Sequence, residues 1–246
     1  MAFTRLYRES DFEACAQICI ATLPPALASS PAAAKLSPYL WTHPYTFLSP
    51  STCHVLDDGT GTAVGYCIGC PDVHTFVADY ERYITAILSR DVEIPGFDTR
   101  EPWALPIVNN ATSAGGGLPQ DNPGVQPSGG GDATAIQINP RALAQNAYRA
   151  DWMILEGREA VTSRWRATMH IDLLPAWQGL GWGRRLIENF VASVQSSGQD
   201  YGEGEHIGVA GENSKVVPFY EKVGFRVVEG GEREGNIIMV KDIRKL

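Results

Sequence analysis

The segment Leu173-Leu174-Pro175-Ala176-Trp177-Gln178-Gly179-Leu180-Gly181-Trp182-Gly183-Arg184-Arg185 gathers residues that can hold an anion. A strand-like run, 166–174, feeds a glycine-rich turn, and the turn feeds an amphipathic helix over 184–195. The first turn of a helix carries unpaired N–H groups and partial positive charge. Glycine permits turn conformations closed to other residues and lets a phosphate approach the backbone. Arg184 and Arg185 add two full charges, so the segment has the chemistry of a pyrophosphate cradle. Spacing discounts two other phosphate loops. A Walker A loop ends in Gly-Lys-Ser/Thr, whereas Gly183 precedes two arginines. A dinucleotide fingerprint reads G-x-G-x-x-G, whereas these glycines fall at 179, 181 and 183. The bland alternative is a tight strand–helix turn that binds nothing.

The elements that must position this loop can be read along the chain. Residues 3–7 are short, apolar and β-prone. Ser10 and Glu13 form a capping-box pattern, and Phe12, Cys15, Ala16, Cys19 and Ile20 recur at helical spacing, which predicts a helix over 11–22. Pro24 and Pro25 end it. A short helix near 31–36 and then loop are expected in the Ala/Pro/Ser-rich stretch 26–50, with Tyr39, Trp41, Tyr45 and Phe47 in the loop. Two strands, 53–56 and 63–70, flank the hairpin signal Asp57-Asp58-Gly59-Thr60-Gly61. Helices follow over 73–88 and near 140–150. After the 166–174 strand and the 184–195 helix come a strand at 206–210, a helix over 213–223 stopped at Gly224, and strands at 225–229 and 236–240. The sum is an α/β protein, a mixed sheet of about seven strands flanked by helices, forming a single domain over 1–246. Residues 109–135 carry two Gly-Gly-Gly runs, with Leu118 and Val125 as their large aliphatics. Such a composition cannot offset ordering entropy, which predicts a flexible insertion within the domain.

Whole-chain properties narrow the class. The formal net charge of −8 argues against nucleic acid and anionic membranes as partners. No apolar run approaches the roughly 20 residues that span a bilayer. The start, Met1-Ala2-Phe3-Thr4-Arg5, lacks signal-peptide regions, so a cytoplasmic location is expected, with a nuclear one also open. The five cysteines are odd in number, and the CxxC at Cys67–Cys70 lies in a strand-like run without a second pair. Reduced structural cysteines are expected rather than a zinc or redox site.

Gln178 through Gly183 matches the Gln/Arg-x-x-Gly-x-Gly/Ala motif, and the chain resembles the GNAT superfamily of N-acetyltransferases on that ground. A second landmark of the superfamily follows downstream, in the Asn213…Phe219-Tyr220-x-x-x-Gly224-Phe225 pattern, with Pro218 as a departure inside it. Tyr45–Leu48, Gly65–Asp72 and His170–Pro175 are similar to the stand-alone acetyltransferase-like relatives of the O-GlcNAcase C-terminal domain.

The resemblance implies a GNAT fold and acetyl-CoA as cofactor. It implies that backbone N–H groups across Gln178, Gly179, Leu180, Gly181, Trp182, Gly183 and Arg184 hold the pyrophosphate. It places Leu173 and Leu174 beside the pantetheine arm at the edge of two splayed parallel strands, 166–174 and 206–210. Asn213 and Phe219 would reach the cofactor, and Tyr220 would protonate the departing thiolate. The attacking amine must lose a proton. His170 and Asp172, two apart on a strand and so on one face, and Asp72 after the 63–70 strand, are the general-base candidates, with Asp172 ranked first. The aromatics of 39–47 are candidates for an acceptor wall. The activity implied is acetyl transfer to a primary amine by direct attack in a ternary complex, a small amine or amino sugar being favoured over protein lysine. Homodimerisation is a habit of the superfamily. The animal O-GlcNAcase relatives imply the alternative of a non-catalytic binding module.

Overall fold

The computed structural model describes residues 1–106, 136–229 and 235–245. The expected insertion at 109–135 lies outside them. Nine strands occur among the described residues: β1 (Phe3–Leu6), β2 (His54–Asp57), β3 (Ala63–Cys70), β4 (Ala104–Pro106), β5 (Ile136–Ile138), β6 (Ala167–Leu173), β7 (Gly204–Ala210), β8 (Arg226–Val227) and β9 (Asn236–Asp242). Seven form one sheet in the order β1-β2-β3-β6-β7-β9-β8. Its neighbours are antiparallel except β6 and β7, which run parallel. The other two, β4 and β5, make a small antiparallel ribbon that composition did not foretell.

Every residue of β3 is buried, which explains its unbroken Ala-Val-Gly-Tyr-Cys-Ile-Gly-Cys sequence. It is a central strand covered on both faces. The helices that cover those faces are α1 (Phe12–Ala21), α2 (Pro31–Trp41), α3 (His43–Leu48), α4 (Val73–Ala78), α5 (Pro140–Tyr148), α6 (Trp182–Ser196) and α7 (Val217–Lys222). Tyr66, Ile68 and Cys70 pack with α1, α2 and α3 in one core cluster. On the other face Ala167, Met169, Ile171 and Leu173 of β6 pack with Leu186, Ile187 and Phe190 of α6. All five cysteines are buried free thiols.

Four expectations need correction. The stretch after residue 36 is not loop: α2 and α3 continue to Leu48. Pro31 and Pro44 stand in first helical turns, where a missing N–H costs nothing, and Ser30 caps α2 by accepting from the Ala33 amide. The helix expected over 73–88 stops at Ala78, resumes over Tyr80–Tyr83, and passes into a π turn at Ile84–Leu88. The extra residue of a π turn changes the helical phase, and Tyr80, Tyr83 and Leu88 are all buried. The helix expected over 213–223 is a 3₁₀ segment, Gly211–Val216, followed by α7, with Pro218 in the first turn of α7. The strand expected at 225–229 is the two-residue β8.

Candidate active site

The glycine loop crosses from β6 to α6 through a 3₁₀ turn at Pro175–Trp177. Gly179 has φ 73° and Gly181, the N-cap of α6, has φ 83°. Any other residue would be strained there by about 1–2 kcal/mol. A Cβ built on either would meet nothing within 4 Å. Their role is thus backbone conformation beside open space, which is what close approach of a ligand requires. Gly183 differs, because a Cβ there would lie 3.0 Å from Phe219 Cζ. Phe219 of α7 therefore packs on the first turn of α6. Gln178 ties the loop to the strand end by donating from Nε2 to the Leu173 carbonyl at 2.8 Å. Arg184 donates to the Lys222 carbonyl at the C-terminus of α7 at 3.1 Å. Arg185 covers the Trp182 ring at 4.9 Å. Leu180 is exposed at the tip.

Next to the loop the sheet opens. Each of β6 and β7 has seven residues, yet they pair only at Ala167↔Glu205 and Thr168↔His206. Thr168 Oγ1 closes the joined end by donating to the His206 carbonyl at 2.9 Å. Beyond it the strands part, as the resemblance implied for 166–174 and 206–210. On its other side β6 stays paired with β3 as far as Leu173. Leu174 N donates to Val64 O at 3.0 Å, so even-numbered residues of β6 turn their backbone groups to β3. Ile171 and Leu173 turn theirs to the gap. Leu173 thus lies on the open edge. Leu174 does not, its amide being committed to Val64; Ile171, overlooked in the sequence, stands there.

His170 and Asp172 do share a face, the one covered by α1, α2 and α3. Asp172 lies opposite Tyr66, whose phenol donates to Asp172 Oδ2 at 2.6 Å. Burial pushes the Asp172 carboxyl up to about 6, against hydrogen bonds from Tyr66 and Thr22 that lower it. His170 lies 5.1 Å, ring to ring, from Tyr45, which stacks at 4.6 Å on Phe76. Burial, with Arg158 and His206 nearby, lowers His170 to about 4. It is a neutral and weakly basic imidazole at pH 7, whereas Asp172 titrates near neutrality. Of the four aromatics over 39–47, Tyr45 is the one in ring contact with His170; Trp41 meets Trp103 and Phe47 meets Tyr83 instead.

Asp72 is elsewhere. Because β3 and β6 are antiparallel, the end of β3 lies beside the start of β6, at the opposite end from the loop. There Asp72 caps α4 through the His74 amide and takes a two-point contact from Arg166, at 3.0 and 2.7 Å. Burial raises this carboxyl, but Arg166, Thr75 and the His74 amide outweigh it and hold Asp72 below its ordinary range. It does not line the cleft. Arg166→Met is expected to cost on the order of 2 kcal/mol at pH 7. A carboxyl with a depressed folded pKa stabilises above its unfolded pKa and loses that effect as pH falls. The deficit should therefore shrink below about pH 4, which urea unfolding at pH 7 and pH 3 would measure.

Tyr220 lies on α7, partly buried between Phe219 and Phe225, at ring distances of 5.3 and 5.5 Å. Burial, and the negative charge of Asp172, raise its phenol pKa, so it keeps its proton. Asn213 sits in the 3₁₀ segment just after β7, in a non-helical conformation, φ −104° and ψ 19°. The loop, the gap between β6 and β7, and α7 thus form one site, and Asp172 and His170 approach it from the α1 face.

A mixed seven-stranded sheet whose parallel pair parts beside a glycine loop at a helix N-terminus is the GNAT fold. Residues 158–245 match the family described as an acetyltransferase (GNAT) domain, a segment that contains β6, the loop and α7. Over that segment the chain is similar to GNAT acetyltransferase domains. A likeness across the whole chain is found to the crystal structure of SsHAT, with 26% identity, 99% of each chain covered and a TM-score of 0.68. PH1933 from Pyrococcus horikoshii OT3 shares 11% identity over 100% of each chain, with a TM-score of 0.50. The structure of yncA from Salmonella typhimurium with its cofactor acetyl-CoA shares 12% identity over 100% of this chain and 95% of that one, with a TM-score of 0.46. Among the described residues, no helix is long and apolar enough to cross a membrane, and no group of three or more His, Cys, Asp or Glu could hold a metal.

Proposed function

We propose that this chain transfers an acetyl group from acetyl-CoA to a primary amine by direct attack in a ternary complex. The observation that carries the proposal is the open gap between β6 and β7 with two left-handed glycines at its mouth. The residues suit the cosubstrate. N–H groups across Gly179–Arg184, at the N-terminus of a 15-residue helix and beside the open space at Gly179 and Gly181, would hold the pyrophosphate. The backbone of Ile171 and the Leu173 amide, on the gap side of β6, offer an edge to an amide-bearing arm, as an added strand would use it. Asn213 and Phe219 flank that path. Acetyl-CoA supplies the activated acyl carbon as a thioester.

The proton steps fall to two side chains. Asp172, ionised at neutral pH, takes the proton from the attacking amine. Tyr220, held protonated by burial, gives its proton to the leaving sulfur. His170 lines the approach on the Asp172 face. Because Asp172 is recessed beside Tyr66 and the end of α1, a small amine or an amino sugar is the proposed acceptor rather than a lysine of a folded protein. Tyr220→Phe tests the donor role. Turnover should fall by about 10²-fold while the KM for acetyl-CoA changes little. Unchanged turnover in a steady-state thiol-release assay would remove Tyr220 from the mechanism.

A further inference from the structure

Tyr66 is fully buried in the middle of β3. It is the direct partner of Asp172 across the β3–β6 pair, and its phenol donates to Asp172 Oδ2 at 2.6 Å. A buried tyrosine hydroxyl needs a polar partner, and here the partner is the proposed base. We propose that Tyr66 is a positioning residue for acetyl transfer, fixing the rotation of the Asp172 carboxylate and keeping it ionised so that it can receive the amine proton. The inference rests on the reading of Asp172 as general base.

Two observations besides the hydrogen bond support it. The pair is held by the rigid centre of the sheet rather than by a loop. A Cβ on neighbouring Gly65 would already lie 3.0 Å from Leu173 Cγ and 3.1 Å from the Asp172 carbonyl oxygen, so the two strands have little room to shift. Among the described residues, no cation contributes to the electrostatics of the carboxylate. Tyr66 faces it from β3 and Cys19 from α1, with His170 on its own strand and Tyr220 of α7 within electrostatic reach. Burial keeps the Cys19 thiol and the two phenols protonated and His170 neutral at pH 7. What opposes the burial of Asp172 is hydrogen bonding, from Tyr66 first and then from Thr22.

The test is the pH dependence of kcat/KM. In Tyr66→Phe the acidic limb, which reports the base, should move up by about 1 pH unit, because one strong hydrogen bond to the charged form is lost. Acetyl-CoA should still raise Tm in this variant. Site-specific replacement of Tyr66 by 3-fluorotyrosine makes the phenol a stronger donor, so the limb should move down. Merely structural roles would lower amplitude or Tm without moving the limb in opposite directions. A limb that stays at the wild-type pH in both proteins overturns the proposal. Should Tyr66→Phe not fold, an unmoved limb in the fluorotyrosine protein overturns it alone. Wild-type turnover in Asp172→Asn is a different failure, since it removes Asp172 as base and with it the reading on which Tyr66 depends.

Discussion

Asp172→Asn is expected to lower kcat/KM by about 10²–10⁴-fold, the range that a positioned general base contributes. Asparagine keeps the shape of the side chain and an oxygen that can accept from Tyr66. The sheet should therefore fold, and acetyl-CoA should still raise Tm. The same residue fixes the wild-type pH profile. Burial pushes Asp172 up to about 6 and His170 down to about 4. A base at Asp172 gives kcat/KM that rises through about pH 6 and levels above it. A base at His170 would place the limb near pH 4 and make Asp172→Asn mild. Activity within threefold of wild type, or an acidic limb that persists in Asp172→Asn, would assign the base elsewhere.

Gly181→Glu should abolish cofactor binding. Gly181 is left-handed, at φ 83°, and caps α6 at the mouth of the gap. Glutamate adds about 1–2 kcal/mol of backbone strain. It also sets a negative charge where the pyrophosphate is proposed to lie. Since a Cβ there meets nothing within 4 Å, the folded state itself is not overpacked. A ligand at 100 times its Kd stabilises by about 2.7 kcal/mol, a shift that calorimetry resolves easily. Wild-type protein should show that shift with acetyl-CoA and the variant should show none, while Gly181→Ala, strained but uncharged, should retain part of it. An undiminished shift in Gly181→Glu would move the pyrophosphate away from this loop.

The loop was legible in the sequence because its chemistry is local. The glycines, the following helix and the paired arginines all lie within 178–185, and left-handed conformations at Gly179 and Gly181 are what such spacing favours. The parted strands were legible through the resemblance, since β6 and β7 both read as strands and the later Asn213…Phe225 pattern located the second. Relations across the sheet were not legible. Asp72 follows β3 and looks close to the cleft along the chain, but antiparallel pairing carries it to Arg166 at the far end. The same pairing settles which backbone groups of β6 are open. That depends on the parity of one hydrogen bond, Leu174 to Val64, and exchanges Leu174 for Ile171. Tyr66 was hidden for a related reason. In an apolar strand a tyrosine reads as core, and only the partner strand shows where its hydroxyl goes. Over 37–48, composition misled, because Pro44 stands in a first turn and Pro38 is accommodated inside α2, so the segment is helix rather than loop.

The most direct measurement is release of free thiol by the purified chain, given acetyl-CoA and a panel of amino sugars, polyamines, small amines and lysine peptides. Amine-dependent thiol release, strongest with a small amine or amino sugar, lost in Asp172→Asn and reduced about 10²-fold in Tyr220→Phe, is the expected result. Saturable acetyl-CoA binding with no thiol release from any amine would contradict catalysis and leave a cofactor-binding module in its place.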